Sequence, residues 1–113
     1  MTNKENCIEV KCEKDLQEAL KAKDKAIALF YASWCPYSRR FLPIFEEHTK
    51  KKKGEYLKVM LDEMEDVAEK YDIDVYPTVL FFEKGKVTKR LDGIPGEGLD
   101  EGLLVDFVNS CKI

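Results

Sequence analysis

The chain is organised around one stretch of eight residues, Ser33-Trp34-Cys35-Pro36-Tyr37-Ser38-Arg39-Arg40. It lies where an apolar run, residues 26–32, gives way to a helical pattern that begins at Pro36. Proline favours the first helical position, because its fixed φ suits a helix and its missing N–H would be unpaired there. The sequence therefore predicts that Cys35 occupies the N-cap of a helix.

This position predicts a reactive thiol. The backbone N–H groups of Tyr37 and Ser38 have no acceptor within the helix and are expected to point at the sulfur of Cys35. The positive end of the helix dipole and the charges of Arg39 and Arg40 also favour the thiolate, which is the nucleophile of disulfide exchange. The alternative is a small buried apolar side chain, since free cysteine is among the most buried residue types. The aromatic and basic neighbours favour the reactive interpretation.

Ser38 stands three residues after Cys35, where a dithiol oxidoreductase carries its second cysteine. That second thiol lies one helical turn on, attacks the mixed disulfide and releases the substrate. A serine hydroxyl cannot form a disulfide. The sequence therefore predicts a site that forms a mixed disulfide through Cys35 and cannot resolve it internally.

Size and composition limit the class of protein. The 113 residues are 44% apolar and 36% charged, which predicts one soluble globular domain over residues 1–113. The net charge of -3 and the lack of a basic stripe argue against nucleic acid as a partner. Residues 1–11 lack the pattern of a signal peptide, and no apolar run approaches a membrane span. We therefore expect a cytoplasmic protein with reduced thiols and no membrane association.

Hydrophobic periodicity predicts the first half of the fold. Residues 7–12 alternate, with Ile8, Val10 and Cys12 on one face and Cys7 on the other, as in a half-buried strand. The pattern then predicts a helix over residues 15–23, a central strand over 26–32 and a helix over 36–51 with Pro43 inside it. Gly54 is expected to cap that helix.

The second half continues the alternation of strands and helices. The pattern predicts a strand over residues 56–61, a helix that starts in the acidic segment 62–66, a hairpin over 79–91 and a closing helix. Cys111 falls on the apolar face of that last helix and is predicted to be core. This order predicts an α/β fold with helices on both faces of a mixed sheet.

Several motifs occur in an order and spacing that resemble the thioredoxin family over nearly the whole chain. They are residues 30–35 (Phe-Tyr-Ala-Ser-Trp-Cys), Pro43 in the following helix, Tyr76-Pro77-Thr78, the Lys84-Gly85 turn and Gly93. The resemblance implies the thioredoxin fold, a central mixed sheet of about five strands flanked by four helices.

The resemblance also implies roles for particular residues. Cys35 would be the exposed nucleophile, and Pro77 a cis-proline packed beside it. The backbone of Tyr76 would then offer a short strand edge to an extended substrate, with Trp34 and Tyr76 as an apolar rim. The candidate substrate-binding residues are Trp34, Pro36, Tyr37, Tyr76, Pro77 and Thr78.

The sequence departs from the family pattern in two places. Thioredoxins usually carry Trp-Cys-Gly-Pro-Cys, whereas Cys35-Pro36-Tyr37-Ser38 resembles a monothiol glutaredoxin site. They also usually bury an acid six residues before the nucleophile, a position that Leu29 fills here. Lys58 resembles the lysine that partners this acid, or is a surface strand residue. Ser38 is compatible both with a natural monothiol site and with an introduced Cys-to-Ser change.

The resemblance implies a thiol-disulfide oxidoreductase that acts on disulfide-containing protein substrates as a monomer. Its electron donor would be a thioredoxin-reductase-type enzyme or a small thiol, with no cofactor and no metal site. Two alternatives remain open. One is an iron–sulfur cluster held between two subunits with glutathione. The other is a binding or chaperone-like module that uses Trp34, Tyr37 and Tyr76 without turnover.

Overall fold

The computed structural model describes residues 7–111, which form five strands and four helices. In chain order the elements are β1 Cys7–Val10, α1 Glu13–Ala22, β2 Lys25–Tyr31, α2 Pro36–Lys51, β3 Tyr56–Met60, α3 Glu65–Lys70, β4 Thr78–Glu83, β5 Lys86–Asp92 and α4 Glu101–Ser110.

The strands form one mixed sheet in the order β1-β3-β2-β4-β5. β1 and β2 each run parallel to β3, whereas β4 is antiparallel to both β2 and β5. β2 is the middle strand, and its residues from Ala26 to Tyr31 are all buried. The prediction of a central strand covered on both faces is confirmed, as is the five-stranded mixed sheet with four helices.

Two apolar cores lie on opposite faces of the sheet. On one face, Phe41 and Phe45 of α2 and Leu104 of α4 pack against alternate residues of the central strands. On the other face, Leu16 of α1 and Val67 of α3 pack against the remaining residues. Because β2 and β4 are covered on both sides, their sequences are apolar runs and do not alternate.

The start of the chain differs from the predicted strand. β1 ends at Val10, and Cys12 is the exposed N-cap of α1. Glu13 and Asp15 lie in the first turn of α1, where carboxylates favour a helix start over a continued strand. Cys7 was expected on a solvent face, but the face it shares with the α2 core is covered, so it is buried.

The end of α2 also differs from expectation. The predicted cap was Gly54, but the C-cap residue is Lys52, whose backbone N–H donates to the carbonyl of His48. Pro43 lies inside the helix as predicted. Among residues 7–111, no helix combines the length and apolarity that a membrane crossing requires.

The topology places the candidate site at one edge of the sheet. β1, β2 and β3 are parallel, so their carboxyl ends lie together, and β4 begins at the same edge because it runs antiparallel to β2. The Cys35 corner follows β2, and the acidic segment follows β3. Residues far apart in the sequence therefore meet at this edge.

Candidate active site

Cys35 is the N-cap residue of α2, and Pro36 fills the first helical position. This confirms the predicted place of the cysteine. The predicted hydrogen bonds from the N–H groups of Tyr37 and Ser38 are absent, since the side chain of Cys35 makes no capping bond. Its sulfur lies instead 3.9 Å from the backbone oxygen of Tyr76. The thiol thus faces the segment before β4. Of the predicted N-cap features, the position of Cys35 at the start of the helix is confirmed, and the hydrogen bonds to its sulfur are not.

Cys35 was expected to be exposed, but it is only 7% accessible. Trp34 beside it is 64% exposed, and its ring meets that of Tyr76 edge to face with centroids 5.8 Å apart. An edge-to-face aromatic pair is therefore formed by the residue before Cys35 and by the residue whose backbone oxygen the sulfur approaches.

The segment before β4 forms the other side of the site. The peptide bond between Tyr76 and Pro77 is cis, and Pro77 is buried. The hydroxyl of Thr78, which is fully buried, donates to the carbonyl of Val75 at 2.9 Å and closes the turn. A Cβ at Gly93 would lie 2.5 Å from the Pro77 oxygen, so only glycine allows this close approach of the loop after β5.

Ser38 lies one helical turn after Cys35 and is completely buried. Its hydroxyl oxygen accepts a hydrogen bond of 3.3 Å from the backbone N–H of Ala32. The hydroxyl therefore ties the first turn of α2 to the end of β2. The position predicted for a resolving thiol is occupied by a group that is inert in disulfide exchange.

The buried acid expected in the family is replaced at its position by Leu29, which is fully buried and pairs in register with Lys58. Lys58 is no simple surface residue, because its ammonium forms a 2.6 Å ion pair with Glu46 of α2. Burial opposes the charge on Lys58, but the hydrogen bond and charge of Glu46 prevail and raise its pKa. Lys58 therefore has an acidic partner, but that partner is Glu46 of α2 and not the residue at position 29 of β2.

Asp62 is a site residue that sequence reasoning missed. It follows the end of β3, and its carboxylate accepts hydrogen bonds from both the backbone N–H, at 2.9 Å, and the hydroxyl of Ser33. The hydroxyl and N–H bonds from Ser33 hold the pKa of Asp62 below its usual value. The acidic segment was interpreted only as a helix start. One sequence signal could have predicted the contact: Ser33 and Asp62 each follow one of two predicted strands, and residues that follow adjacent parallel strands meet at one edge of the sheet.

A second missed feature fixes the first turn of α2. The Arg40 guanidinium lies 5.6 Å from the centre of the Tyr37 ring and donates a hydrogen bond to the backbone oxygen of Glu97. Gly98 has a φ of 77°, and a Cβ there would lie 2.9 Å from the Cβ of Tyr37. Tyr37 and Arg40 therefore pack tightly against the loop that precedes α4. Neither contact was predictable from spacing, because the loop lies almost sixty residues away in the chain.

A family model for thioredoxin matches residues 7–108. The chain is 37% identical over 89 residues to a thioredoxin of Mycoplasmoides gallisepticum, an alignment that covers 77% of this chain and 89% of that protein. It is 36% identical over 90 residues to an H-type thioredoxin of Oryza sativa subsp. indica, covering 79% and 74%. It also matches protein disulfide-isomerase A5 of Bos taurus, with 34% identity over 85 residues, but these cover 71% of this chain and only 16% of the isomerase.

Solved structures share the fold. Schistosoma mansoni thioredoxin superimposes with a TM-score of 0.81 at 25% identity, covering 94% of this chain and 95% of that one. The thioredoxin NaTrxh of Nicotiana alata gives a TM-score of 0.82 at 19% identity and covers 100% and 98%. With the family model spanning residues 7–108 and this agreement of architecture, the chain belongs to the thioredoxin family.

Proposed function

We propose that this chain forms mixed disulfides with protein substrates through Cys35 and depends on an external thiol or reductase to release them. The observation that carries the proposal is the place of Cys35, at the N-cap of α2 beside the Tyr76 backbone oxygen, combined with a serine at the resolving position. Family membership supports thiol-disulfide chemistry in general. The monothiol form of that chemistry is our inference from Ser38.

In the first step the Cys35 thiolate attacks one sulfur of a substrate disulfide. A bond forms between the Cys35 sulfur and that substrate sulfur, the substrate S–S bond breaks, and the other sulfur leaves as a thiolate. The N-terminus of a sixteen-residue helix favours the attacking anion. The low dielectric around a nearly buried sulfur disfavours the same anion. Burial and helix position therefore have opposite effects on the thiolate.

The second step needs a thiol that the site does not contain. An external thiolate attacks the mixed disulfide, forms a new S–S bond and displaces either the Cys35 thiolate or the substrate thiolate. A small thiol or a thioredoxin-reductase-type donor is suited to this step. A natural monothiol site and an introduced substitution at Ser38 give the same chemistry, so the proposal stands for both.

Trp34, Pro36, Tyr37, Tyr76, Pro77 and Thr78 are proposed to hold the substrate near the sulfur. Trp34 is 64% exposed and Tyr76 is half-buried, and together they offer apolar surface of the kind typical of anchor positions at interfaces. The backbone of Tyr76 lies beside the sulfur, and an extended substrate can pair with it as an added strand. Thr78 and Pro77 are buried, so we assign them the support of this edge and not direct contact.

The Ser38→Cys variant tests the proposal most directly. With insulin as substrate and dithiothreitol as reductant, we expect Ser38→Cys to catalyse repeated turnover, at least about tenfold faster than the protein with Ser38. When dithiothreitol is left out, the Ser38 protein is expected to accumulate one mixed disulfide with insulin per chain, which intact-mass measurement detects. Both proteins carry Cys12→Ser, because Cys12 is an exposed thiol outside the site.

The matched control is Cys35→Ala combined with Ser38→Cys, which keeps the new thiol and removes the proposed nucleophile. It should show only the uncatalysed rate. If folded Ser38→Cys is no faster than this control, and Cys35 forms no mixed disulfide in the protein with Ser38, the proposed function is wrong. Circular dichroism establishes that each variant is folded.

A further inference from the structure

Charged side chains of opposite sign lie on the two sides of Cys35. The acidic bank follows β3 and consists of Asp62, Glu63, Glu65 and Asp66, and the basic bank in the first turns of α2 consists of Arg39 and Arg40. An open hollow of about 640 Å³, lined by the acidic bank together with Glu13 and Lys11, adjoins the corner at Asp62.

Hydrogen bonds fix one residue of each bank relative to Cys35. Asp62 binds the backbone N–H of Ser33, two residues before Cys35, at 2.9 Å. The backbone N–H of Arg39, one helical turn after Cys35, donates to the Cys35 carbonyl at 3.0 Å. Residues four apart on a helix lie on the same face, so Arg39 lies directly beyond Cys35. Cys35 therefore lies between Ser33, which Asp62 of the acidic bank holds, and Arg39 of the basic bank.

The charges of the acidic bank also act on Tyr76, which we propose to hold the substrate. Burial raises the pKa of Tyr76, and the charges of Asp62, Cys35 and Glu65 raise it further, which indicates that the acidic bank faces this rim residue. On the other side, Arg40 is held against Tyr37 and the Glu97 carbonyl. Lys11 adds one positive charge beside the acidic bank, and Glu97 adds one negative charge beside the basic bank. Each is outnumbered, by four acidic side chains on one side and two arginines on the other.

We infer that Cys35 selects disulfides whose flanking residues carry an acidic group on the side of Arg39 and Arg40 and a basic group on the side of the acidic bank. This inference rests on the proposed function and adds the substrate class to it. An extended segment that pairs with the Tyr76 backbone runs in one direction only, so its two charges meet either both complementary banks or both repelling ones. The charge order along the substrate then decides the rate of mixed-disulfide formation.

The test uses three peptides, each with one cysteine activated as a mixed disulfide with 2-thiopyridine. One peptide has the order acid-Cys-base, one has base-Cys-acid, and one is neutral. The Cys35 thiolate bonds to the peptide sulfur, the peptide–pyridyl S–S bond breaks, and pyridine-2-thione leaves with a proton from water. Because Ser38 cannot resolve the product, the peptide adduct accumulates and its mass identifies it.

We expect the two charged orders to react with rate constants that differ about fivefold at low salt, with the neutral peptide between them. About 1 M NaCl should largely abolish the difference, because the Debye length falls to about 3 Å. Equal rate constants for the two orders at low salt would overturn the inference.

The double variant Arg39→Glu with Glu65→Lys sharpens the test, since it exchanges one charge of each bank and keeps the net charge. Neither side chain makes a hydrogen bond or ion pair within residues 7–111, so the exchange breaks no such contact. We expect the preferred order to weaken or reverse. The control is Glu18→Lys with Lys21→Glu on the exposed face of α1, which should keep the original preference. An unchanged preference in the Arg39/Glu65 variant would overturn the assignment to these banks.

The neutral peptide distinguishes a failure of the proposed function from a failure of the charge selectivity. If it forms no adduct at Cys35, the proposed function itself is wrong. If it reacts and the charged orders do not differ, the proposed function stands and only the charge selectivity is wrong.

Discussion

Two cysteines, Cys35 and Cys111, are almost equally inaccessible and lie at opposite kinds of helix end. Cys35 is 7% exposed and is the N-cap of α2, whereas Cys111 is 6% exposed and is the C-cap of α4. Each lies near a tyrosine, Tyr76 for Cys35 and Tyr56 for Cys111. Burial does not distinguish the two thiols, so their chemistry must differ for another reason.

The helix end and the neighbouring polar groups supply the difference. The N-terminus of a helix favours an anion and the C-terminus disfavours one. Burial raises the pKa of Cys111, with only partial relief from the charge of Lys89. Around Cys35, the polar groups of Ser33 and Ser38 have hydrogen-bond partners, whereas the hydroxyl of Tyr56 is buried without one in the described residues. Two equally buried thiols are therefore distinguished by the polarity of the helix end at which each lies.

The largest expected effect is a difference in alkylation rate between the two cysteines. In a brief pulse of iodoacetamide on the folded protein at neutral pH, we expect Cys35 to react at least about a hundredfold faster than Cys111. Peptide mass spectrometry measures both sites in one sample, and exposed Cys12 serves as the reference for an accessible thiol. Similar rates for Cys35 and Cys111 would show that the polarity of the helix end does not distinguish the reactivity of the two thiols.

The next effect concerns the hydrogen bonds that hold the corner. Asp62→Ala removes both acceptors of Ser33, so we expect the rate of mixed-disulfide formation with a neutral peptide to fall about tenfold through loss of positioning. Asp62→Asn keeps an acceptor and loses the charge, and should retain most of the rate. Stopped-flow release of pyridine-2-thione measures both variants. An equal fall in the two would show that charge, and not the hold on Ser33, is what matters.

A smaller effect is expected from the unpaired hydroxyl in the core. Burial, together with the thiols of Cys111 and Cys7, raises the pKa of Tyr56 to about 12. Tyr56→Phe removes a fully buried hydroxyl that has no partner, so we expect it to stabilise the protein by about 1 kcal/mol in urea unfolding. Tyr76→Phe, at the half-buried rim, is the matched control and should leave stability nearly unchanged. A clear loss of stability in Tyr56→Phe would mean that its hydroxyl has a partner.

The smallest effect is a pH dependence from His48, the only histidine of the chain. Burial lowers its pKa below 6.5, and the charges of Lys52 and Lys51 add to this against the opposing Glu101. The unfolded chain therefore takes up the proton first, and stability should fall as the pH drops through 6.5 towards the folded pKa.

This decline is measured as the melting temperature between about pH 7.5 and pH 5.5, with His48→Gln as the comparison. The variant should show a flatter profile over that interval. Identical slopes would mean that His48 keeps its ordinary pKa in the folded protein.

The sequence was sufficient for the architecture and for the place of Cys35. The apolar run through β2 and Pro36 after the cysteine are local signals, and they predicted a central strand and a helix start correctly. The contacts of the site were less accessible. Asp62 reaches Ser33, and Arg40 reaches Glu97, across gaps of 29 and 57 residues, which no periodicity records. The predicted exposure of Cys35 was wrong for a similar reason, since its sulfur lies against the Tyr76 backbone, which is 41 residues away in the sequence.

The sealed hydroxyl of Ser38 has a kinetic consequence. With no internal leaving step, the lifetime of a captured partner is set by the concentration of free thiol around the protein, and it lengthens in inverse proportion as that thiol is consumed. The same chain would then release its partners quickly in a strongly reducing environment and retain them in a depleted one. Under the proposed function, this buried side chain makes the release of a partner depend on the thiol concentration of the surroundings and not on a thiol of the protein itself.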